Sequence, residues 1–174
     1  MAYIPSAIAN TLLDLARENH HRLDPMKMQK LVYFAHGWHL GLDGGPLITE
    51  PIEAWDYGPV VPTLYHELKL YGAGEILEHI KEFEPTPTGR FVLVAPTVRD
   101  PSERDFLRRI WQVYGNLSAT QLSAMTHRPD TPWSQVRKSH PGVRGLVIPD
   151  ELMTAYFKEL AQQNAARLAA NSSR

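Results

Sequence analysis

Apolar residues recur every three or four positions along most of this chain, which is the spacing of helices that bury one face. The first such segment covers residues 6–20 and places Ile8 and Leu12 on the same face. Asp24 and Pro25 then predict the start of a second helix, because Asp is a good cap and Pro fits the first helical position. The chain therefore opens with two predicted helices.

The second helix is predicted to run to about Leu40, where Gly41 provides a stop. Its inner stripe consists of Met28, Leu31, Val32, Ala35 and His39. A third helix is predicted to begin at Pro62, with Leu64, Tyr65, Leu68 and Tyr71 spaced for burial.

Three segments between the helices favour extended structure. Residues 47–55 contain a proline and predict a short edge strand or an extended arm. Residues 56–62 predict a stiff loop, since two prolines fix φ and Gly58 permits an unusual backbone angle. Residues 91–95 predict a strand, whereas residues 75–83 leave helix and strand open.

Capping signals predict four more helix starts in the second half. They lie at Asp100 with Glu103, Ser118 with Gln121, Thr131-Pro132 for one short turn, and Pro149-Asp150. We expect residues 1–174 to form a single domain that ends in a frayed tail at 165–174. The predicted fold class is a mostly helical α+β domain of about six to seven helices with a small β-sheet.

Composition narrows the chemistry. The formal net charge is −1, so no global field recruits nucleic acid. The absence of cysteine excludes disulfides, thiolate metal sites and a cysteine nucleophile. Neither a signal-peptide pattern nor a membrane-spanning apolar run is present, which predicts a cytoplasmic protein without a membrane partner.

Motifs for catalysis, cofactors and metals are missing. The chain has no nucleophile elbow, no P-loop and no HExxH pair. His36 and His39 share a predicted helix face, but packed histidines explain that spacing better than a metal site. We predict a protein that is not an enzyme and has no cofactor; an unrecognised active site stays an alternative.

Basic residues gather loosely at Arg99–Arg109 and again at Arg128–Arg144. A nucleic-acid-binding regulator of its own operon is the alternative function that these groups suggest. Acidic residues interleave with the first group, so a solvated face explains it as well.

Two short segments combine large aromatic residues with rigid backbone. Residues 55–60 place Trp55 and Tyr57 beside Gly58-Pro59, and residues 126–133 combine His127 and Trp133 with two prolines in a short loop. Aromatic side chains on stiff backbone make good binding anchors, because little entropy is lost when they are ordered. A buried corner with an internal role is the other interpretation, and the sequence leaves both open.

Three segments resemble the Panacea domain, also called the SocA-like domain. Residues 25–35, PMKMQKLVYFA, resemble its LKLQKLLYF helix, with Met26 and Met28 in place of the usual Leu. Residues 53–62, EAWDYGPVVP, resemble its EAWxxGPV signature. Residues 122–133 resemble its LSxxTHxxxPW element. Their order and spacing extend the resemblance over about residues 6–160.

The resemblance implies an antitoxin. Panacea proteins are typically the antitoxins of bacterial and phage toxin–antitoxin pairs, and they are common in prophages and other mobile genetic elements. One member is a proteolytic adaptor that hands its toxin to the ClpXP protease. The implied partners are a cognate toxin encoded by a neighbouring gene and, for an adaptor, ClpX and ClpP. The sequence leaves homo-oligomer formation open.

The family motifs also imply a set of partner-binding residues. These are Lys27 and Lys30 as charged contacts, together with Trp55, Tyr57, Gly58, Pro59, His127 and Trp133. For each of these residues, a role in folding alone is the alternative interpretation.

Overall fold

The second helix is the centre of the molecule. In the computed structural model, which describes residues 2–43 and 45–172, every residue from 27 to 37 is buried. A helix that is buried on all faces must be covered on every side by other elements. Helices from both ends of the chain and one strand contact it.

The described residues form seven α-helices and five strands. The helices are α1 (Pro5–Glu18), α2 (Pro25–Asp43), α3 (Pro62–Leu68), α4 (Pro101–Tyr114), α5 (Ala119–Thr126), α6 (Pro132–Ser139) and α7 (Asp150–Ser172). The strands are β1 (Glu53–Trp55), β2 (Gly58–Val60), β3 (Glu82–Pro85), β4 (Phe91–Val94) and β5 (Leu146–Val147). The predicted fold class, mostly helical α+β, is confirmed.

The predicted helix starts agree with the caps. The Asp100 side chain accepts from the amides of Ser102 and Glu103, and Ser118 with Gln121 forms a capping box. Helix α6 has eight residues and is longer than the single turn expected. Helix α7 continues to Ser172, and the predicted fraying of residues 165–174 stays a prediction.

The first sheet differs from the sequence prediction in two ways. Strand β1 is central, in the order β2-β1-β5, and is not an edge strand. The segment 56–62, predicted as a loop, contains β2, which pairs antiparallel with β1 through Trp55 opposite Gly58. Pro59 is tolerated there because β2 is itself an edge strand and need not donate on its outer side.

The second sheet is a hairpin of β3 and β4, paired antiparallel from Glu82 opposite Val94 to Pro85 opposite Phe91. The strand predicted at residues 91–95 is confirmed. The ambiguous segment 75–83 is irregular until its end enters β3. The hairpin leaves large apolar side chains exposed, namely Phe83, Phe91, Val92 and Leu93.

Two glycines allow α7 to approach α2 closely. A Cβ atom on Gly37 would lie 2.1 Å from the ring of Phe157, and one on Gly41 would lie 2.7 Å from Phe157 Cβ. Phe157 is fully buried and its ring meets Phe34 and Trp38 edge-on. The absence of side chains at these two positions therefore creates the seat for Phe157.

No helix in residues 2–43 and 45–172 combines the length and the apolar character needed to cross a bilayer.

Replacing Gly37 with Ala is expected to destabilise the protein by about 1–3 kcal/mol, because the new methyl group overlaps the Phe157 ring. The matched control is Gly45→Ala, where a Cβ meets nothing within 4 Å. Urea unfolding followed by circular dichroism measures both changes. Equal stability of the two variants would show that α7 does not sit on Gly37 as described.

Candidate functional site

The β1–β2 hairpin is fixed to the helical core from two sides. Trp133 Nε1 on α6 donates to the Trp55 carbonyl oxygen at 2.8 Å. The buried Gln29 amide on α2 accepts from the Val61 amide at 2.8 Å and donates to the Val61 carbonyl at 3.1 Å. Two of the sequence motifs, at Trp55 and Trp133, are thus joined by a direct hydrogen bond.

Lys30 lies beneath this hairpin with only 1% of its surface exposed. Its Nζ donates to the Pro59 carbonyl oxygen at 3.1 Å, and within the described part of the chain it forms no ion pair. Burial lowers the pKa of Lys30 from 10.5 to about 8, because the charged form loses its hydration. The ammonium is therefore retained at neutral pH at a cost to stability.

Gly58 is the residue that makes room for this amine. A Cβ atom there would lie 2.7 Å from Lys30 Nζ and 3.1 Å from Thr126 Oγ1. The backbone of Gly58 also has φ of +107°, a region that residues with a side chain rarely adopt. Close approach and backbone conformation both require glycine here.

A cavity of about 720 Å³ opens between the hairpin, the start of α2 and α3. Its lining includes Met26, Lys30, Trp55, Tyr57, Tyr65 and Arg144. The rings of Trp55 and Tyr65 contact each other at 4.8 Å between centroids. Tyr57, at the hairpin turn, is 78% exposed. The volume is in the range of ordinary ligand pockets.

His127 and Trp133 form the support of the hairpin on its other side. Their rings lie 3.9 Å apart between centroids. The Ser123 carbonyl is 2.7 Å from His127 Nδ1, so this nitrogen carries the proton and donates. Both side chains are half-buried, and the hydrogen bond from Trp133 to Trp55 holds the hairpin in place.

Lys27 stands apart from the other predicted site residues. Its buried Nζ donates to the Gly115 carbonyl oxygen at 2.6 Å and lies 5.6 Å from the centre of the Trp111 ring. The motif residues therefore separate into a group around the hairpin and one lysine at the end of α4. Neither Lys27 nor Lys30 presents its charge on the open surface.

His36 fills a structural position. Its Nδ1 accepts from the amides of Leu47 and Ile48, both at 3.3 Å, so Nε2 carries the proton and donates to Asp150 Oδ1 at 3.2 Å. Burial lowers the pKa of His36, although Asp150 opposes that effect. Across the residues that the structure describes, no group of three or more His, Asp or Glu side chains could hold a metal ion.

Tyr65 and Arg144 belong to the cavity but were not predicted as site residues. Tyr65 was expected in the core with Leu64 and Leu68; those two are buried, whereas Tyr65 is 42% exposed. Helical spacing identified the apolar face of α3, but it could not show that other elements leave Tyr65 partly uncovered. Arg144 lies in a polar loop far along the chain, and no local signal connects it with the hairpin.

Comparison with known proteins identifies the family. The sequence model described as "Antitoxin SocA-like, Panacea domain" matches residues 28–134. A curated relative, Antitoxin SocA of Caulobacter vibrioides (strain NA1000 / CB15N), is 33% identical over 155 residues, which covers 87% of this chain and 81% of the relative.

The chain belongs to the SocA-like Panacea antitoxin family. The resemblance seen in the sequence is thereby confirmed. No solved structure gives a significant match. The matched region contains α2 from Met28, both hairpins and the α5–α6 corner up to Ser134, so the β1–β2 hairpin and its contacts with Gln29, Lys30 and Trp133 lie within it.

Replacing Lys30 with Met is expected to raise the free energy of unfolding at pH 7 by up to roughly 3 kcal/mol, because Met is unbranched, only one atom shorter, and removes the buried charge. Between pH 8 and 10.5 the unfolded chain holds a proton that the folded chain has lost. The stability of the wild type therefore rises with pH in that window. The difference in unfolding free energy between Lys30→Met and the wild type becomes smaller as a result. Denaturant titrations across this pH range measure the difference.

The control is Lys138→Met on the exposed end of α6, which should change stability by no more than about 0.5 kcal/mol. A Lys30→Met variant that is less stable than the wild type by an amount independent of pH would contradict the placement of a buried ammonium.

Proposed function

We propose that this chain is the antitoxin of a bacterial or prophage toxin–antitoxin pair and neutralises its cognate toxin by direct protein–protein binding. Family membership is the observation that supports this proposal most strongly. The relative's name, Antitoxin SocA, assigns the same class of function to that protein. On this proposal the chain acts as a binding protein and has no catalytic role.

We assign the toxin contact to the surface around Tyr57. Its ring is exposed at the turn of a hairpin that is held by Gln29 and Trp133, so the anchor is ordered before the partner arrives. Preorganised aromatic residues lose little entropy on binding and often dominate interface energies. In this assignment Trp55 and Pro59 shape the surface, while His127 supports it from behind.

The β3–β4 hairpin is a second exposed apolar surface and serves as the internal comparison. Phe83 and Phe91 are 72% and 68% exposed, and clustered exposed apolar side chains often mark interaction surfaces. A toxin that bound there would leave the Tyr57 surface free. Matched substitutions on the two hairpins therefore show which surface contacts the toxin, whereas co-expression of the wild type shows whether the chain is an antitoxin.

Delivery to ClpXP is a finer form of the same proposal. An adaptor has to hold the toxin before it hands the toxin over, so both forms need a contact surface. Regulation by nucleic-acid binding has less support, because Arg108 pairs with Asp105 and Arg137 pairs with Asp56. Those pairs neutralise part of each basic cluster.

Co-expression with the product of the neighbouring gene tests the proposal. The wild type is expected to restore growth and to co-purify with the toxin. Tyr57→Glu should weaken the complex by about tenfold or more, since it places a charge at a desolvated aromatic anchor. Phe91 on the other hairpin is similarly exposed, at 68%, and Phe91→Glu should leave neutralisation unchanged.

The outcomes separate three claims. A harmless neighbour that does not co-purify contradicts the antitoxin proposal. Neutralisation that is lost in Phe91→Glu and kept in Tyr57→Glu retains the function and moves the contact to β3–β4. Rescue that persists in cells without ClpX supports masking by binding, whereas rescue that disappears there supports delivery.

A further inference from the structure

The lining of the cavity beside the β1–β2 hairpin contains two cations and two carboxylates. Lys30 and Arg144 both line it, and neither forms an ion pair within residues 2–43 and 45–172. Of the two acidic residues of the lining, only Asp56 is paired with a cation in the part of the chain that the structure describes, whereas Glu53 keeps its charge and bonds a neutral indole. Glu53 Oε2 accepts from Trp55 Nε1 at 2.7 Å, and Asp56 Oδ1 pairs with Arg137 Nη2 at 2.7 Å.

This arrangement favours an anion. Lys30, Arg144 and Arg137 stand against the carboxylates of Glu53 and Asp56, so one positive charge remains in excess beside low-dielectric walls. Of the two cations without an ion pair among the described residues, Lys30 is fully buried and Arg144 lies at the exposed rim. A carboxylate could reach the Arg144 guanidinium directly, since that side chain is exposed. Lys30, beneath Gly58, would act over a short distance through the protein interior.

The apolar walls of the cavity indicate what kind of body the carboxylate is attached to. Trp55 and Tyr65 present two touching aromatic rings, and Met26 and Val60 add aliphatic surface. Ligand sites commonly combine such apolar walls with a few polar groups that set orientation. We infer that this cavity is a binding site for a carboxylate carried on an aromatic or aliphatic body.

Occupation would also offset the cost of burying Lys30. Desolvation holds the pKa of Lys30 down at about 8, yet the amine is still mostly protonated at neutral pH. A bound anion nearby stabilises the charged form and raises that pKa. A buried cation that costs stability in the empty chain is thereby stabilised in the occupied one.

Such a carboxylate has two possible sources, a free small acid or an acidic group on the bound toxin. The inference does not rest on the proposed function, because binding of a small acid can be measured on the chain alone. The probe is 3-phenylpropionate, and its neutral counterpart is 3-phenylpropanamide. The two compounds share the phenyl body and differ in charge.

Titrations followed by amide and indole NMR shifts test the site. The acid is expected to shift the signals of Trp55 and Tyr57 with a Kd on the order of 1 mM, as its small size allows. The amide should bind at least about tenfold more weakly. Arg144→Gln and Lys30→Met should each remove most of the preference for the acid, whereas Arg90→Gln on the β3–β4 hairpin should keep it.

Equal binding of acid and amide, or a preference that survives both substitutions in the cavity, overturns the inference. Repeating the titration on the complex with the toxin tests the source. Unchanged acid binding in the complex assigns the site to a free acid, whereas loss of acid binding shows that the toxin covers or fills the cavity. If no complex forms, the titration on the chain alone still decides whether the site exists.

Discussion

The burial of α2 on every side is the constraint from which the other features follow. One face of this helix is closed by α7, which reaches it because Gly37 and Gly41 leave room for Phe157. Another face carries Gln29 and Lys30, whose side chains bind the backbone of the β1–β2 hairpin. A single helix therefore fixes both the core and the position of the exposed turn.

The contact between Lys30 and the β1–β2 hairpin fixes the hairpin but lowers the stability of the fold, because it buries a charge. A hydrophobic side chain in place of Lys30 would satisfy the core at lower cost, since a buried ammonium with one carbonyl partner is poorly solvated. The protein instead holds the amine against Pro59 and uses a glycine at position 58 to admit it. Such costs are tolerated where a site needs a charge that bulk solvent does not screen.

Local signals in the sequence predicted the helices well. The caps at Asp100 and Ser118 depend on residues within one turn, so a short stretch of sequence contains all of the relevant interactions. The place of β1 in its sheet depends on β5, which comes from the far end of the chain, and no local pattern reveals that partner. The same limit explains why Arg144 and the exposure of Tyr65 were missed.

The same contrast between local signals and long-range contacts applies to the site residues. The motifs identified Trp55, Tyr57 and Trp133, and two of them are joined by a hydrogen bond. The sequence presented Lys27 and Lys30 as charged contacts, but a residue type does not show what covers it. Burial beneath a hairpin and against the end of α4 becomes visible only once the elements are assembled.

We propose that α2 fixes the β1–β2 hairpin in the position in which Tyr57 contacts the toxin. Hydrogen–deuterium exchange of the chain, free and in complex with the toxin, tests it most directly. We expect the toxin to slow exchange at Asp56 and Tyr57 and in the loop around Arg144, and to leave exchange in β3 and β4 unchanged. Protection confined to the β3–β4 hairpin, with the β1–β2 turn exchanging as in the free chain, would contradict it.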